Sequence, residues 1–135
     1  MEDIEEHKTI KDCLFCLASI KMVIEDKYKT VIAIKDRHPV TKGHLLIIPL
    51  RHVEDYFSLT ALEKYDADKL ITSCKKTIID HDPSVTGFNI GINCGESAGQ
   101  TIFHCHIHLI PRRDGDTPSP RGGVRGVIPE RMSYP

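Results

Sequence analysis

Residues 103–111 read Phe103-His104-Cys105-His106-Ile107-His108-Leu109-Ile110-Pro111. Strict alternation over an aliphatic stretch is a strand signal, and a strand sends alternate side chains to one face. The three histidines are therefore expected along one side of a single strand, about 7 Å apart, with Cys105, Ile107 and Leu109 on the other. Polar groups on a strand face need solvent or partners. One histidine there would fit a half-buried strand, but three in alternation point to a surface for metal or phosphate chemistry.

Working outward, the residues on either side supply the rest of a fold. Positions 20–25 and 28–34 read as two short strands joined at Asp26-Lys27. Residues 44–50 form a third strand, nearly continuous in Leu and Ile and closed near Pro49. Thr60-Ala61-Leu62-Glu63 is a capping box opening a helix whose Ala67, Leu70, Ile71, Cys74 and Ile78 share a face. Asp82-Pro83 ends it. A fourth strand spans 87–93, and a Gly-rich turn with Gly95 and Gly99 leads into the histidine strand. Strands, one long helix, then strands define an α+β domain with a mainly antiparallel sheet. Residues 1–111 are expected to form this domain. Residues 112–135, rich in Gly, Pro and Arg, are expected as a surface arm or a disordered tail.

The chain's 135 residues suffice for one core without staples. A formal net charge of −1 supplies no global field for nucleic acid or membrane. Residues 1–6, Met-Glu-Asp-Ile-Glu-Glu, are acidic and lack the basic and apolar regions of a signal peptide, so a cytoplasmic location is expected. The 5 cysteines are an odd number and argue against a disulfide framework. Arg112, Arg113, Arg121, Arg125 and Arg131 all follow the histidine strand, an asymmetry that hints at a local anionic ligand. The turn Asn93-Cys94-Gly95-Glu96-Ser97-Ala98-Gly99-Gln100-Thr101 combines glycines, which let amides approach an anion, with neutral side-chain donors. Cys13-Leu14-Phe15-Cys16 carries two thiols that suit one tetrahedral zinc, which needs two further ligands. A redox pair and two core cysteines are the competing readings.

The run His-Cys-His-Ile-His-Leu-Ile matches the pattern His-φ-His-φ-His-φ-φ, and the sequence resembles the histidine triad (HIT) superfamily. Further matches are Asp36, Thr41-Lys42-Gly43-His44 leading into the aliphatic strand, His52, and Gly99-Gln100-Thr101. The resemblance implies a five-stranded sheet with one long helix and a short one, usually paired as a homodimer. It also implies hydrolysis or transfer of a nucleoside monophosphate group at the α-phosphorus of a purine nucleotide conjugate, an AMP-type ligand.

Carried over by position, His106 would be the nucleophile, steered by the backbone carbonyl of His104. His108 and His44 would contact phosphate oxygens. Gln100 and Thr101 would hold the phosphate and the leaving-group side. Asp36 would accept the ribose hydroxyls, and Asn93 and Gly99 would help close the phosphate pocket. Zinc-bearing bacterial members resemble this chain at Cys13, Cys16, His52 and His104. A metal with four such ligands has no open position and is structural. The stretch from Arg121 through Arg125 departs from the family's C-terminal patterns, so the leaving group is open. A dinucleoside polyphosphate is the favoured substrate type. A nucleoside phosphoramidate, or a zinc-stabilised nucleotide-binding module with little turnover, are the alternatives. Three triad histidines on one catalytic metal is a weaker reading, because ligands at i, i+2 and i+4 of a strand are too spread.

Overall fold

The computed structural model describes residues 13–16 and 23–135. Its strands are β1 (Ile24–Tyr28), β2 (Val31–Lys35), β3 (Leu45–Pro49), β4 (Val85–Gly91) and β5 (Ile107–Arg113), with helix α1 (Ala61–His81) between β3 and β4. They form one five-stranded sheet in the order β1-β2-β3-β5-β4. Every neighbouring pair is antiparallel, as the alternation of strands, helix and strands predicts. Among the described residues α1 is the one α-helix, and the other helical turns are short 3-10 segments such as Tyr56–Ser58.

Alternation sorts the central strands onto two covered faces. Val31, Ala33, Leu45, Ile47, Ile107 and Leu109 pack against Ala67, Leu70 and Cys74 of α1. On the opposite face Ile32, Ile34, Leu46 and Ile48 pack with Phe15, Ile24 and Leu50. With both faces covered, β3 is buried at every position, which is why it reads as a continuous apolar run. His108 pairs with Leu46 across the sheet and so lies on the face away from α1.

The capping box forms as its sequence predicts. Thr60 Oγ1 accepts the Glu63 amide at 3.0 Å, and Glu63 Oε1 accepts the Thr60 amide at 2.9 Å. Glu63 is buried, and Arg51 offsets its charge through bonds of 2.7 and 3.1 Å. Burial raises the pKa of this carboxyl, and its hydrogen bonds with Arg51 and Thr60 outweigh that and lower it. The Asp82 amide closes the far end of α1 on Ile78 O at 2.9 Å.

The first hairpin departs from its reading. Tyr28 pairs with Val31, so the turn is Lys29-Thr30 and not Asp26-Lys27. Residues 20–22 of the expected first strand lie outside the described residues. Lys29 takes φ 49°, a conformation a lysine adopts at some cost. The helix offsets that cost: Asp66 Oδ2 accepts Thr30 Oγ1 at 2.6 Å and the Thr30 amide at 3.3 Å. A tertiary contact 36 residues away thus places the turn.

The arginine-rich segment begins as strand and continues in turns and 3-10 helices. β5 runs on to Arg113, whose guanidinium binds Asp82 at 2.7 Å. Arg112 forks onto Asp116 at 2.7 and 2.8 Å. Farther on, Arg121 and Arg125 lie over the Tyr134 ring, 4.7 and 5.0 Å from its centre. At Gly122, φ 98°, a side chain would collide with the Met132 carbonyl, so the arm closes on itself there.

Candidate active site and metal corner

The triad histidines do not form one row. β5 begins at Ile107, so His104 and His106 precede the strand. The Cys105 amide donates to Val53 O at 2.7 Å instead of joining the sheet ladder. The chain is drawn aside there, and His104 is fully buried while His106 and His108 keep partial exposure. The expectation of three histidines along one strand face is therefore corrected: His104 joins a separate corner of the molecule.

On the open side, hydrogen bonds settle which nitrogen of each ring carries a proton. His106 Nδ1 lies 2.8 Å from the His104 carbonyl, so Nδ1–H donates and Nε2 keeps its lone pair. His44 Nδ1 accepts the Val40 amide at 3.0 Å, which places the His44 proton on Nε2. That proton points to His108 Nδ1 at 2.9 Å, with Asp36 Oδ2 at 3.4 Å. His108 therefore holds its own proton on Nε2. The ring centroids of His106 and His108 stand 5.4 Å apart, so a ring with an Nε2 lone pair neighbours a ring with an Nε2–H.

Burial lowers the pKa of His44, and Asp36 opposes the shift. Burial also lowers that of His108, helped by repulsion from His106 and His44 and opposed by Asp36. Both rings are thus kept neutral near pH 7. Asp36 Oδ1 accepts the His38 amide at 2.8 Å, which aims Oδ2 at the histidine pair. Asp36, His44 and His108 bring ligand-type atoms within 4.8 Å of one another. A cation suits them poorly, because the Val40 amide holds the proton on the His44 nitrogen it would need.

The Gly-rich turn lies beside these rings in sequence. Gly95 and Gly99 adopt φ 93° and 92°. Gln100 is buried, its Oε1 accepting the Gly95 amide at 2.8 Å and its Nε2 donating to Glu54 O at 2.6 Å and Ile102 O at 3.2 Å. Its polar atoms brace the loop. Thr101 is exposed and Asn93 half-buried near Gly99.

A candidate metal corner joins Cys13, Cys16, His52 and His104, whose ligand atoms all lie within 4.8 Å of one another. Cys13 Sγ is 3.4 Å from His104 Nδ1, and Cys16 Sγ is 3.4 Å from His52 Nδ1 and 3.6 Å from His104 Nδ1. Two tetrahedral zinc bonds, about 2.3 Å to sulfur and about 2.05 Å to nitrogen, subtend an edge of about 3.6 Å. The spacing fits that donor set. His104 Nε2–H donates to Pro49 O at 2.8 Å, turning the lone pair of Nδ1 toward the thiols. Burial pushes the His104 pKa down to about 4 against that hydrogen bond, so the ring is neutral and keeps the lone pair a metal would need. Cys74 and Cys105, by contrast, are core thiols pushed up to about 11 and about 12 by burial.

Two contributors are not visible in the sequence motifs. One is the backbone amide of Val40, which no side-chain pattern reports. The other is Phe15, whose ring meets His106 edge-on with centroids 4.9 Å apart. Its placement between Cys13 and Cys16 was the available signal.

The fold and the paired histidine clusters define a histidine triad protein. The family model described as "HIT domain" matches residues 18–115, and the chain belongs to that family. It is 36% identical over 108 residues to "Protein hit" of Bacillus subtilis, covering 76% of this chain and 72% of that one. It is 37% identical over 93 residues to the AP-4-A phosphorylase of Mycobacterium tuberculosis, covering 65% of this chain and 45% of that enzyme. A Zn-bound histidine triad family protein from Mycobacterium smegmatis superposes with a TM-score of 0.68 at 32% identity, covering 80% of each chain. No helix among the described residues is long and apolar enough to cross a membrane.

Proposed function

We propose that this protein cleaves nucleoside phosphate conjugates of the dinucleoside polyphosphate type at the α-phosphorus, through a nucleotidyl-His106 intermediate. The carrying observation is the His106 Nδ1–H bond to the His104 carbonyl, which leaves Nε2 as a lone pair, with the His108 ring 5.4 Å away centre to centre. Nε2 attacks phosphorus, a P–N bond forms, and the P–O bond to the leaving phosphate breaks. His108 Nε2–H offers a hydrogen bond to the phosphoryl oxygens as charge develops there. Water then attacks phosphorus: a P–O bond forms as the P–N bond breaks, its electron pair returns to His106 Nε2, and a proton passes to solvent as the nucleoside monophosphate leaves.

His44 acts here through His108, because both of its nitrogens are already engaged. Asp36 would take the ribose hydroxyls with the carboxylate that now faces the histidines. Thr101, Asn93 and the amides around Gly99 would receive phosphate oxygens. Gln100 serves by bracing that loop, its own amide being spent on backbone groups. Cys13, Cys16, His52 and His104 would hold a structural zinc, which supplies a cross-link between the N-terminal loop, the segment after β3 and the triad. We also infer that two copies pair along the open edge of β4, where Ile90 is exposed.

The test is intact-mass spectrometry after brief mixing with a panel of diadenosine polyphosphates and adenosine phosphoramidates. A nucleotidyl adduct mapping to His106, formed fastest from polyphosphates, is the expected result. Faster labelling by phosphoramidates would move the substrate class, and binding of AMP with no adduct or turnover would overturn the enzyme reading. Sedimentation of wild type and Ile90→Lys reads the pairing, with a monomeric wild type overturning it.

A further inference from the structure

We infer that the Cys13–Cys16 loop is also the positioning device for His106, with Phe15 as the residue that transmits it. The inference rests on His106 being the nucleophile, and it assigns the metal corner a part in holding that ring. Two links run from the corner to the His106 ring. His104 offers Nδ1 to the thiols while its carbonyl, 2.8 Å from His106 Nδ1, holds the ring's tautomer and tilt. Phe15, tethered on both sides by the cysteines, meets the same ring at 4.9 Å and 68°, and meets the His104 ring at 6.5 Å and 82°. Phe15 is seated on the apolar face made by Ile32, Ile34, Leu46 and Ile48, so it has a firm floor to press from. The aromatic edge contact and the hydrogen bond thus constrain the ring from different sides.

An imidazole on a single-bonded stem turns about two dihedrals, and one hydrogen bond at Nδ1 does not stop it swinging about that bond. Phe15 supplies the second restraint. Releasing the cysteines frees the loop that carries Phe15, and it loosens His104 at the same time. His44 has no such tether: Val40, Asp36 and His108 hold it, and among these only His108 touches the His106 ring. The two halves of the catalytic face should therefore respond differently to loss of the metal corner.

The experiment uses the full chain labelled with nitrogen-15 in histidine and compares wild type, chelator-treated wild type, Phe15→Ala and Phe15→Leu, all checked for native circular dichroism. In wild type, His106 should give one sharp tautomer signal. In chelated protein and in Phe15→Ala it should broaden or split, while the His44 signals stay in place. Phe15→Leu, which keeps bulk on the apolar floor but loses the ring edge, should give an intermediate result and carries the test if Phe15→Ala does not fold. With a turned-over conjugate, kcat should drop on the order of ten- to a hundredfold with KM little changed. Sharp, unshifted His106 signals in both folded chelated protein and the Phe15 variants would overturn the inference. Because the spectra need no substrate, they decide it even where the adduct experiment fails.

Discussion

The metal corner and the open histidine face are built from the same side chain, yet they have opposite uses. In the corner, His104 gives its Nε2 proton to the Pro49 carbonyl and presents a lone pair to two thiols. On the face, His44 receives the Val40 amide and must present a proton instead. A backbone carbonyl behind an imidazole makes a ligand, and a backbone amide behind it makes a donor. Burial amplifies both by holding the rings neutral. The difference teaches that the group behind each ring decides what its front can do.

The sharpest way to break this contrast is His106→Ala. Turnover should fall by roughly 10⁴-fold or more while zinc content and fold stay as in wild type. Parallel steady-state kinetics and elemental analysis read both, and retained turnover would end the covalent reading. Next in size, Cys13→Ser or His52→Ala should lose bound metal and cost about 3 kcal/mol or more, a fall in Tm of roughly 10 °C. Calorimetry beside metal analysis would sink the metal corner if neither changed.

His44→Asn should lower kcat between about tenfold and a thousandfold with little change in KM, since it removes the donor that orients His108 rather than a substrate contact. A selective rise in KM would instead mean direct contact with phosphate.

Acid should separate the rings from the carboxylates. The folded pKa values of His104, His44 and His108 lie below the ordinary 6.5. Between those values the unfolded chain binds more protons, so folding stability falls as pH falls from 6.5 and the loss levels off below the folded values. For His104, with its folded value about 4, the loss in metal-free protein is on the order of 3 kcal/mol. Glu63 adds nothing until pH drops toward its ordinary 4.5. Urea unfolding of metal-free protein at stepped pH values tests this, and stability that rises on acidification would contradict the neutral rings. The smallest effect is expected from Arg121→Ala with Arg125→Ala. Both donate to carbonyls of their own arm, at Pro135, Met132 and Arg131, so kcat/KM should change less than about twofold and equally for mono- and polyphosphate donors. A loss confined to polyphosphates would give these arginines a substrate contact.

Much of this architecture was legible locally. The capping box and the helix stop at Asp82 depend on neighbours three or four residues apart, and both formed where the sequence put them. The strand pattern around His108 also held from Ile107 onward. Legibility failed where distant groups intervened: Asp66 moved the first turn to Lys29-Thr30, and Val53 drew Cys105 out of the ladder. Neither competitor leaves a mark within the segment it alters.

Sequence alone determined the inventory and its order: histidines in alternation, a Cys-x-x-Cys pair, an aliphatic strand after His44, and the sheet and helix that carry them. Those features follow from short-range periodicity and capping, which a chain carries wherever it folds. Tertiary structure decided which nitrogen of His44, His104 and His108 is donor or lone pair, that His104 leaves the face shared by His106 and His108, and that Gln100 faces inward. Those outcomes depend on single amides and carbonyls at Val40, Pro49 and Glu54, brought near only once the sheet has closed. A proton's position is set by the nearest partner in space, and sequence distance says nothing about that.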